Sequence, residues 1–455
     1  MINADQIQKL VDSTDGVTDA MNLRMTQRIA RRIMALFGAT GKVDVIPASA
    51  ADFRRIMAAG WDMGEFMREI SSQVPGIQKE VRDAFTALAQ AQAQQTVKTF
   101  TEIIADNIEI SPEAAEELDR AQEAFEKLEG WEKLGLPKEA EDMGLTPTEL
   151  RLMDSAYRAT AGQIDNLCHT TALAWQRKYY EVCNNAFWEV THGVSRQDAI
   201  RKAIDEAAKY GTHVIYPSGH VDTVEVAVAR AVRTGLNQAA GDASLARCAQ
   251  AGADYVLVSS HLGARVTKRV EPANHASWQG KVYHLDWNHP ALAKYKPTEE
   301  EEKKNPAIVE WFGRVRDWFR RKFKKMPNYP DFIETTGYGT GEGLCGWNCR
   351  HTFTLFVPGV NKNNQPQYGK EENEKAYRLS QKQRAKERNI RKLKVRRATL
   401  EDAIKHAADE ETKKTLTGDL RKTEAELGQA HRDYRDFITK NNLPNEAERM
   451  YVPGT

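Results

Sequence analysis

The run Thr146-Pro147-Thr148-Glu149 opens the stretch that most constrains how this chain can fold. A threonine at the N-cap, proline at the first helical position and glutamate three residues after the cap make a strong helix start. From there to Gly193 no residue forces a stop, and Gly162 alone marks a bend. So long a helix carries Trp175, Tyr179, Tyr180, Phe187 and Trp188 late in its course and needs neighbours to pack on. Those aromatics read as the core of a bundle rather than as a cofactor box.

The rest of the first 210 residues is also helical in pattern. Ser49 and Asp52 precede Phe53, Ile56, Met57, Phe66, Met67 and Ile70 at helical spacing, and Val74-Pro75-Gly76 breaks that run. ALAQAQAQQTVKTFTEII is a strong helix former, and Ser111-Pro112-Glu113 starts a further helix that stops near Gly130. Ser195 and Asp198 cap a helix ending at Gly211. THVIYPSGHVDT then predicts a β-hairpin turning on Pro217-Ser218-Gly219, and another helix starts near Asp222. After Gly252, ADYVLVSSH reads as a buried strand. From there to Pro358 helical periodicity fades and Gly, Trp, Tyr and His become frequent, as in an α+β domain with irregular loops.

Charge is balanced, with 65 Lys+Arg against 64 Asp+Glu, so contact with a polyanion would have to come from local patches. Five cysteines are too few for a disulfide framework and fit a reducing cytosol. MINADQIQKL lacks the pattern of a signal peptide, and no apolar run is long enough to span a membrane. Two basic segments stand out. Between Trp311 and Lys325 seven Lys/Arg face one Asp, a net of 7 − 1 = +6, beside a stripe of Trp311, Val315, Trp318, Phe319 and Phe323. Between Lys375 and Arg397 eleven Lys/Arg face one Glu, a net of 11 − 1 = +10, dense enough that the helix needs a polyanion or an acidic protein surface to neutralise it. Candidate contacts to nucleic-acid phosphates are Arg320, Arg321 and Lys322 in the first and Arg391, Lys392, Lys394, Arg396 and Arg397 in the second. Thr399 and Asp402 read as the cap of a second helix, where Leu420, Leu427 and Tyr434 fall seven apart, so the two helices form a hairpin with a heptad-like seam.

The stretch TGYGTGEGLCGWNCRHTF, Thr336 to Phe353, is open to several chemistries. Gly341, Gly343 and Gly346 satisfy G-x-G-x-x-G, but HTFTLFVPG after them reads as a strand, where a dinucleotide fingerprint needs a helix. No Gly-Lys-Ser/Thr makes a phosphate loop. Cys345, Cys349 and His351 give C-x3-C-x-H, which is not a usual zinc spacing; a fourth ligand would come from His261, His275 or His284. A third reading is a metal-independent nuclease, with two of His261, His275 and His351 as general base and acid and Arg265, Lys281 or Arg350 stabilising charge. The fourth is a loop that shapes its domain. No cofactor motif is present.

Several blocks then fit one pattern in order: YPSGHVDTVEVAVARAVRTGLNQ, SSHLGARVTKRVEPANHASWQGKVYHL, TGYGTGEGLCGWNCRHTFTLFVPG, and the basic SQKQRAKERNIRKLK closing on YRDFITKNNL and ERMYV. Together they resemble the phage minor capsid protein 2 family of tailed phages and prophages of Gram-positive bacteria, a relative of Mu F-like head morphogenesis proteins. The resemblance runs from about Thr146 to Val452.

It implies a non-enzymatic virion protein, assembled in the bacterial cytoplasm and bound at or near the portal vertex in few copies per head, set around the portal. Its partners would be the portal protein and other head proteins, with double-stranded DNA as a further contact and no membrane. A structural motif of His261, Gly263, Arg265, His275, Trp278, Gln279, Gly280, Lys281, Gly339, Gly343, Cys345, Gly346, Asn348, Cys349, Arg350 and His351 would hold the loops of one domain. The rivals are a nuclease-like or toxin-related enzyme on His261, His275, Arg350 and His351, and a DNA-binding packaging factor.

The fold expected is mostly α with an α+β part. It has a helical region over 1–145, a long-helix and hairpin region over 146–240 that is a candidate portal-docking element, an α+β core over 241–360 with an insertion at about 296–327, and a basic helical hairpin over 361–455.

Overall fold

A computed structural model describes residues 4–37, 72, 74–92, 146–210, 213–216, 221–268, 272–304, 328–356, 358 and 362–455. Helices α1 (Ala4–Leu36), α2 (74–92), α3 (Pro147–Thr191) and α4 (Arg196–Tyr210) come first, then strands β1 (His213–Ile215) and β2 (Val221–Thr223) and helix α5 (Val224–Ala251). Strand β3 (Tyr255–Val258), helix α6 (His275–Trp278), strand β4 (Val282–His284), helices α7 (Glu299–Lys304) and α8 (Phe332–Thr336) and strand β5 (Phe353–Leu355) follow. Helices α9 (Lys370–His406) and α10 (Glu410–Asn441) complete a chain that is mostly α with a little β. The segments over 49–70 and 111–130 and the basic stretch Trp311–Lys325, with Arg320, Arg321 and Lys322, lie outside the described residues.

The chain divides into two compact units. One comprises Met1–Val11, Glu80–Gly162 and Arg230–Arg378; the other comprises Asp12–Lys79, Gln163–Ala229 and Leu379–Thr455.

In the first unit the predicted start of α3 is a complete capping box. The Thr146 amide donates to Glu149 Oε2 at 2.8 Å, and the Glu149 amide donates to Thr146 Oγ1 at 3.3 Å. Glu149 is fully buried and its other oxygen accepts from Arg247 Nε of α5. Arg247 in turn donates to the side chain and the carbonyl of Gln92 at 3.2 and 2.9 Å. The unit's sheet is antiparallel in the order β4-β3-β5, with Val256 opposite Tyr283 and Leu355. Strand β3 is buried on both faces, which is why its sequence is continuously apolar. Val256 and Val258 pack with Trp278, Tyr283, Phe332 and Phe353, and with Leu245 and Cys248 of α5. Tyr255 and Leu257 pack on the opposite side with Val282 and Phe356. Near the start of the expected insertion, Glu301 of α7 accepts from Arg151 Nε at 2.7 Å and from Thr148 Oγ1 at 3.1 Å.

In the second unit Ser195 caps α4, accepting from the Asp198 amide at 3.1 Å, and β1 and β2 pair as the expected hairpin, Val214 opposite Asp222. Helices α9 and α10 form an antiparallel hairpin, with Gln383 Nε2 donating to Tyr434 Oη at 3.3 Å and Arg396 Nη1 to Glu426 at 2.9 Å. The break between them is later than the sequence suggests. Thr399 sits inside α9, its hydroxyl donating to Val395 O at 2.8 Å, and Asp402 accepts two bonds from Arg31 of α1 at 2.7 and 2.6 Å. The cap of α10 is Asp409, which accepts from the Thr412 amide at 2.8 Å.

Candidate functional site

The loops of the first unit close around β3. Ser259, just past the strand, donates from its amide to Thr352 O at 2.8 Å, and its hydroxyl accepts from the Thr352 amide at 2.9 Å. The next turn, Ser260 to Arg265, is held from outside by Asn373. Its Oδ1 accepts from the amides of Gly263 and Ala264, both at 2.9 Å, and its Nδ2 donates to Ala264 O at 3.0 Å. Gly263 and Gly280 both have positive φ, and the Gly280 carbonyl accepts from Asn363 Nδ2 and Gln367 Nε2 at 2.9 and 3.1 Å. Trp278 is fully buried, its indole N–H donating to Pro272 O at 2.9 Å, while exposed Lys281 caps Ser277 O at 2.7 Å.

The glycine-rich stretch is a compact loop and not a phosphate cradle. It leaves α8 through Gly337, in the left-handed region, and Gly339 follows in the same region. The Leu344 amide returns to Thr336 O at 2.9 Å, the Trp347 amide to Gly341 O at 2.7 Å and the Cys349 amide to Gly346 O at 3.1 Å. Gly343 and Gly346 do not use positive φ; a Cβ at either would overlap a backbone carbonyl of the same loop. The left-handed turns fall instead on Cys345 and Asn348, with φ of 59° and 54°. Asn348 Oδ1 accepts from Arg233 Nη1 of α5 at 3.1 Å, and Asn237 Nδ2 donates to the Cys349 carbonyl. Arg265 donates to the carbonyls of Trp347 and Glu342.

Three of the sequence-selected histidines meet here. His351, fully buried, stacks on half-buried His261 at 4.4 Å between ring centroids and meets His275 edge-on at 5.4 Å and Trp278 at 4.8 Å. His275 Nε2 lies 2.9 Å from Glu342 O, and His351 Nε2 lies 3.0 Å from Gln279 Oε1. Gln279 Oε1 also accepts from the His261 amide at 3.0 Å, which fixes that atom as the oxygen. Both acceptors are therefore acceptor-only, so each histidine carries its proton on Nε2 and keeps a lone pair on Nδ1. On His351 that lone pair faces Cys349 Sγ at 3.6 Å. One nitrogen of His275, one of His351 and the Cys349 sulfur all lie within 4.8 Å of one another. Cys345 is buried beside them with its sulfur 3.8 Å from His351 O, and is not a member of that trio. His284 sits at the end of β4 against Tyr255. Arg350 is half-buried.

Burial sets the protonation of the cluster. It pushes His275 down to about 4, and it holds His351 well below the usual imidazole range, helped by the neighbouring His261 and His275. Burial likewise pushes Cys349 up to about 11 and Cys345 well above the ordinary thiol value. Two imidazoles locked neutral, with their Nε2 protons committed to internal acceptors, are poorly placed to shuttle protons to a phosphodiester.

The basic candidates of α9 lie in the second unit, where several meet acids of that unit. Arg391 pairs with Asp19 of α1, and Arg396 with Asp205 and Glu426. Lys394 donates to Met450 O at 2.8 Å, Arg397 lies 3.5 Å from Glu401, and Lys392 is exposed. Sequence reasoning missed Arg233 and Asn237, which lie in the apolar helix α5, and Asn373, in the polar start of α9, because no local spacing marks them as loop anchors.

Comparison with known proteins gives these blocks a context. Residues 84–439 match the family described as phage minor capsid protein 2. A structural protein of Lactococcus phage LL-H is 25% identical over 301 residues, covering 64% of this chain and 69% of that protein. A structural protein of Lactococcus phage mv4 is 39% identical over 75 residues, covering 16% of this chain and 60% of that protein. No solved structure matches. Because the family match runs through the sheet, the histidine-lined loop and most of the basic hairpin, the chain belongs to the phage minor capsid protein 2 family.

Proposed function

We propose that this minor capsid protein is a head-assembly component of a tailed phage or prophage, seated at the portal vertex in few copies and assembled in the host cytoplasm. Its partners in this reading are the portal protein and neighbouring head proteins. The observation that carries it is the family match over 84–439, which takes in residues of both compact units. The long helices fit such a role, since amphipathic helices present groove-filling faces. Among the described residues no helix is long and apolar enough to cross a membrane. The histidine cluster supports a structural role for its loop, because His275 and His351, two of the four groups a nuclease would use, are buried and bonded to the Glu342 carbonyl and to Gln279.

Quantitative mass spectrometry of purified particles, scaled to portal and major capsid protein, tests the reading. A copy number near that of the portal is the expected result. Absence from mature particles would overturn it in favour of a transient assembly factor.

A further inference from the structure

The cluster of His275, Cys349 and His351 has a feature that core packing alone does not require. Both imidazoles donate their Nε2 proton to a fixed acceptor, Glu342 O for one and Gln279 Oε1 for the other. That is the pattern by which proteins orient metal-binding histidines and present the opposite nitrogen as a ligand. The third group is a sulfur, 3.6 Å from His351 Nδ1. Zinc bonds of about 2.3 Å to sulfur and about 2.0–2.1 Å to nitrogen at a tetrahedral angle place two such ligands roughly 3.6 Å apart. One nitrogen of His275 completes the set, all three ligand atoms lying within 4.8 Å of one another. All three residues are buried, at 2% exposure or less. The carbonyl of Cys349 is held by Asn237, whose Oδ1 is buried without a hydrogen-bonding partner.

We propose that His275, Cys349 and His351 form a three-ligand centre for a zinc-class divalent ion, with water in the fourth position, which clamps the glycine-rich loop to the α6 turn. Two nitrogens and one sulfur suit a borderline-soft ion, and the absence of a carboxylate from the trio disfavours calcium and magnesium. The ligand set differs from the one that spacing suggests: His275, some seventy positions upstream, takes the place of Cys345. Binding deprotonates Cys349, and its proton leaves to solvent as the metal–sulfur bond forms. The rival state is metal-free, with the Cys349 thiol donating to His351 Nδ1.

The test uses the untagged full chain, purified under reducing conditions without chelator. Metal is counted by elemental mass spectrometry, then stripped and replaced by cobalt(II). The expected result is one zinc per chain and a thiolate-to-cobalt charge-transfer band on reloading. Cys349→Ser and His275→Gln should weaken binding by at least about 100-fold, and Gln279→Ala, which frees the His351 ring, by about 10–100-fold. Cys345→Ser should keep both the metal and the band. A wild-type chain that is folded by circular dichroism, carries no metal and gives no charge-transfer band with cobalt would overturn the proposal, and that outcome does not depend on any variant folding. Retention of the metal by Cys349→Ser, or its loss in Cys345→Ser alone, would overturn the assignment equally.

Discussion

Glu149 is a carboxylate with no exposed surface, and its charge is tolerable only because Arg247 and the Thr146 amide meet it. Removing the partner of a buried ion strands a desolvated charge, which costs more than the pair contributes when intact. Arg247→Met should therefore destabilise the first unit by about 3–5 kcal/mol in urea denaturation, and adding Glu149→Gln should recover much of that loss. A single-variant cost under about 1 kcal/mol would mean that water reaches Glu149. Half of this arrangement is legible in the sequence. Thr146 and Glu149 are three apart and announce a cap, whereas Arg247 is 98 residues away and no local pattern points to it. Glu387 is the opposite case, because burial outweighs the nearby Arg449 and Arg384 and raises it from its ordinary value. A raised folded value means stability that is fully present below the unfolded value of about 4.5 and is lost as pH rises through the folded one. Glu387→Gln keeps an acceptor for Tyr434 Oη, 3.3 Å away, and removes the charge. Its melting temperature should exceed wild type at pH 7, and the difference should vanish near pH 4.

Among elements, α10 shows how a periodicity is read correctly in kind and wrongly in number. Its buried positions are Thr412, Leu416, Thr423, Leu427, Tyr434 and Ile438. They form two series spaced eleven apart, Thr412–Thr423–Tyr434 and Leu416–Leu427–Ile438. Eleven residues in three turns is about 3.67 per turn, close to the helix's own 3.6, so the stripe holds one face with little supercoiling. Leu427 and Tyr434 belong to both the heptad and this longer pattern, which is why a heptad is easily read there. Leu420 belongs to the heptad alone and is half-buried, while Leu416 is fully buried. Leu416→Ala should cost about 2–5 kcal/mol and Leu420→Ala roughly half that or less, as measured by chemical denaturation. Equal costs would restore the heptad. Strands β3 and β5 and the hairpin β1–β2 were legible because their residue types are local statements. The glycine-rich loop was legible as a turn, but its φ values were not. Close backbone approach, which only the fold creates, reserves Gly343 and Gly346, while the left-handed positions fall on Gly337 and Gly339 but also on the non-glycines Cys345 and Asn348.

For the molecule as a whole, the near-neutral balance of +1 conceals a strongly basic helix, and the question is what neutralises it. Within the second unit Arg391 reaches Asp19, 372 positions away in sequence, and Arg396 reaches Asp205 and Glu426. A run of cations alone cannot show whether its counter-ions are phosphates or carboxylates, because the acids come from α1, α4 and α10. The side chains of Arg391, Asp19 and Arg396 retain 17%, 5% and 14% of their exposure, so these pairs are poorly screened and matter more than surface bridges. Arg391→Gln and Asp19→Asn should each lower the melting temperature of the second unit, and by less than their sum when combined. If these arginines instead served duplex DNA, Asp19→Asn would leave stability intact and tighten DNA binding. Arg391→Gln would then weaken binding and flatten its salt dependence by about one phosphate contact. Melting curves and DNA titrations at several salt concentrations on the same four proteins separate the cases. Internal pairing makes stability the property that moves, whereas contact with duplex DNA would make affinity and its salt dependence move instead.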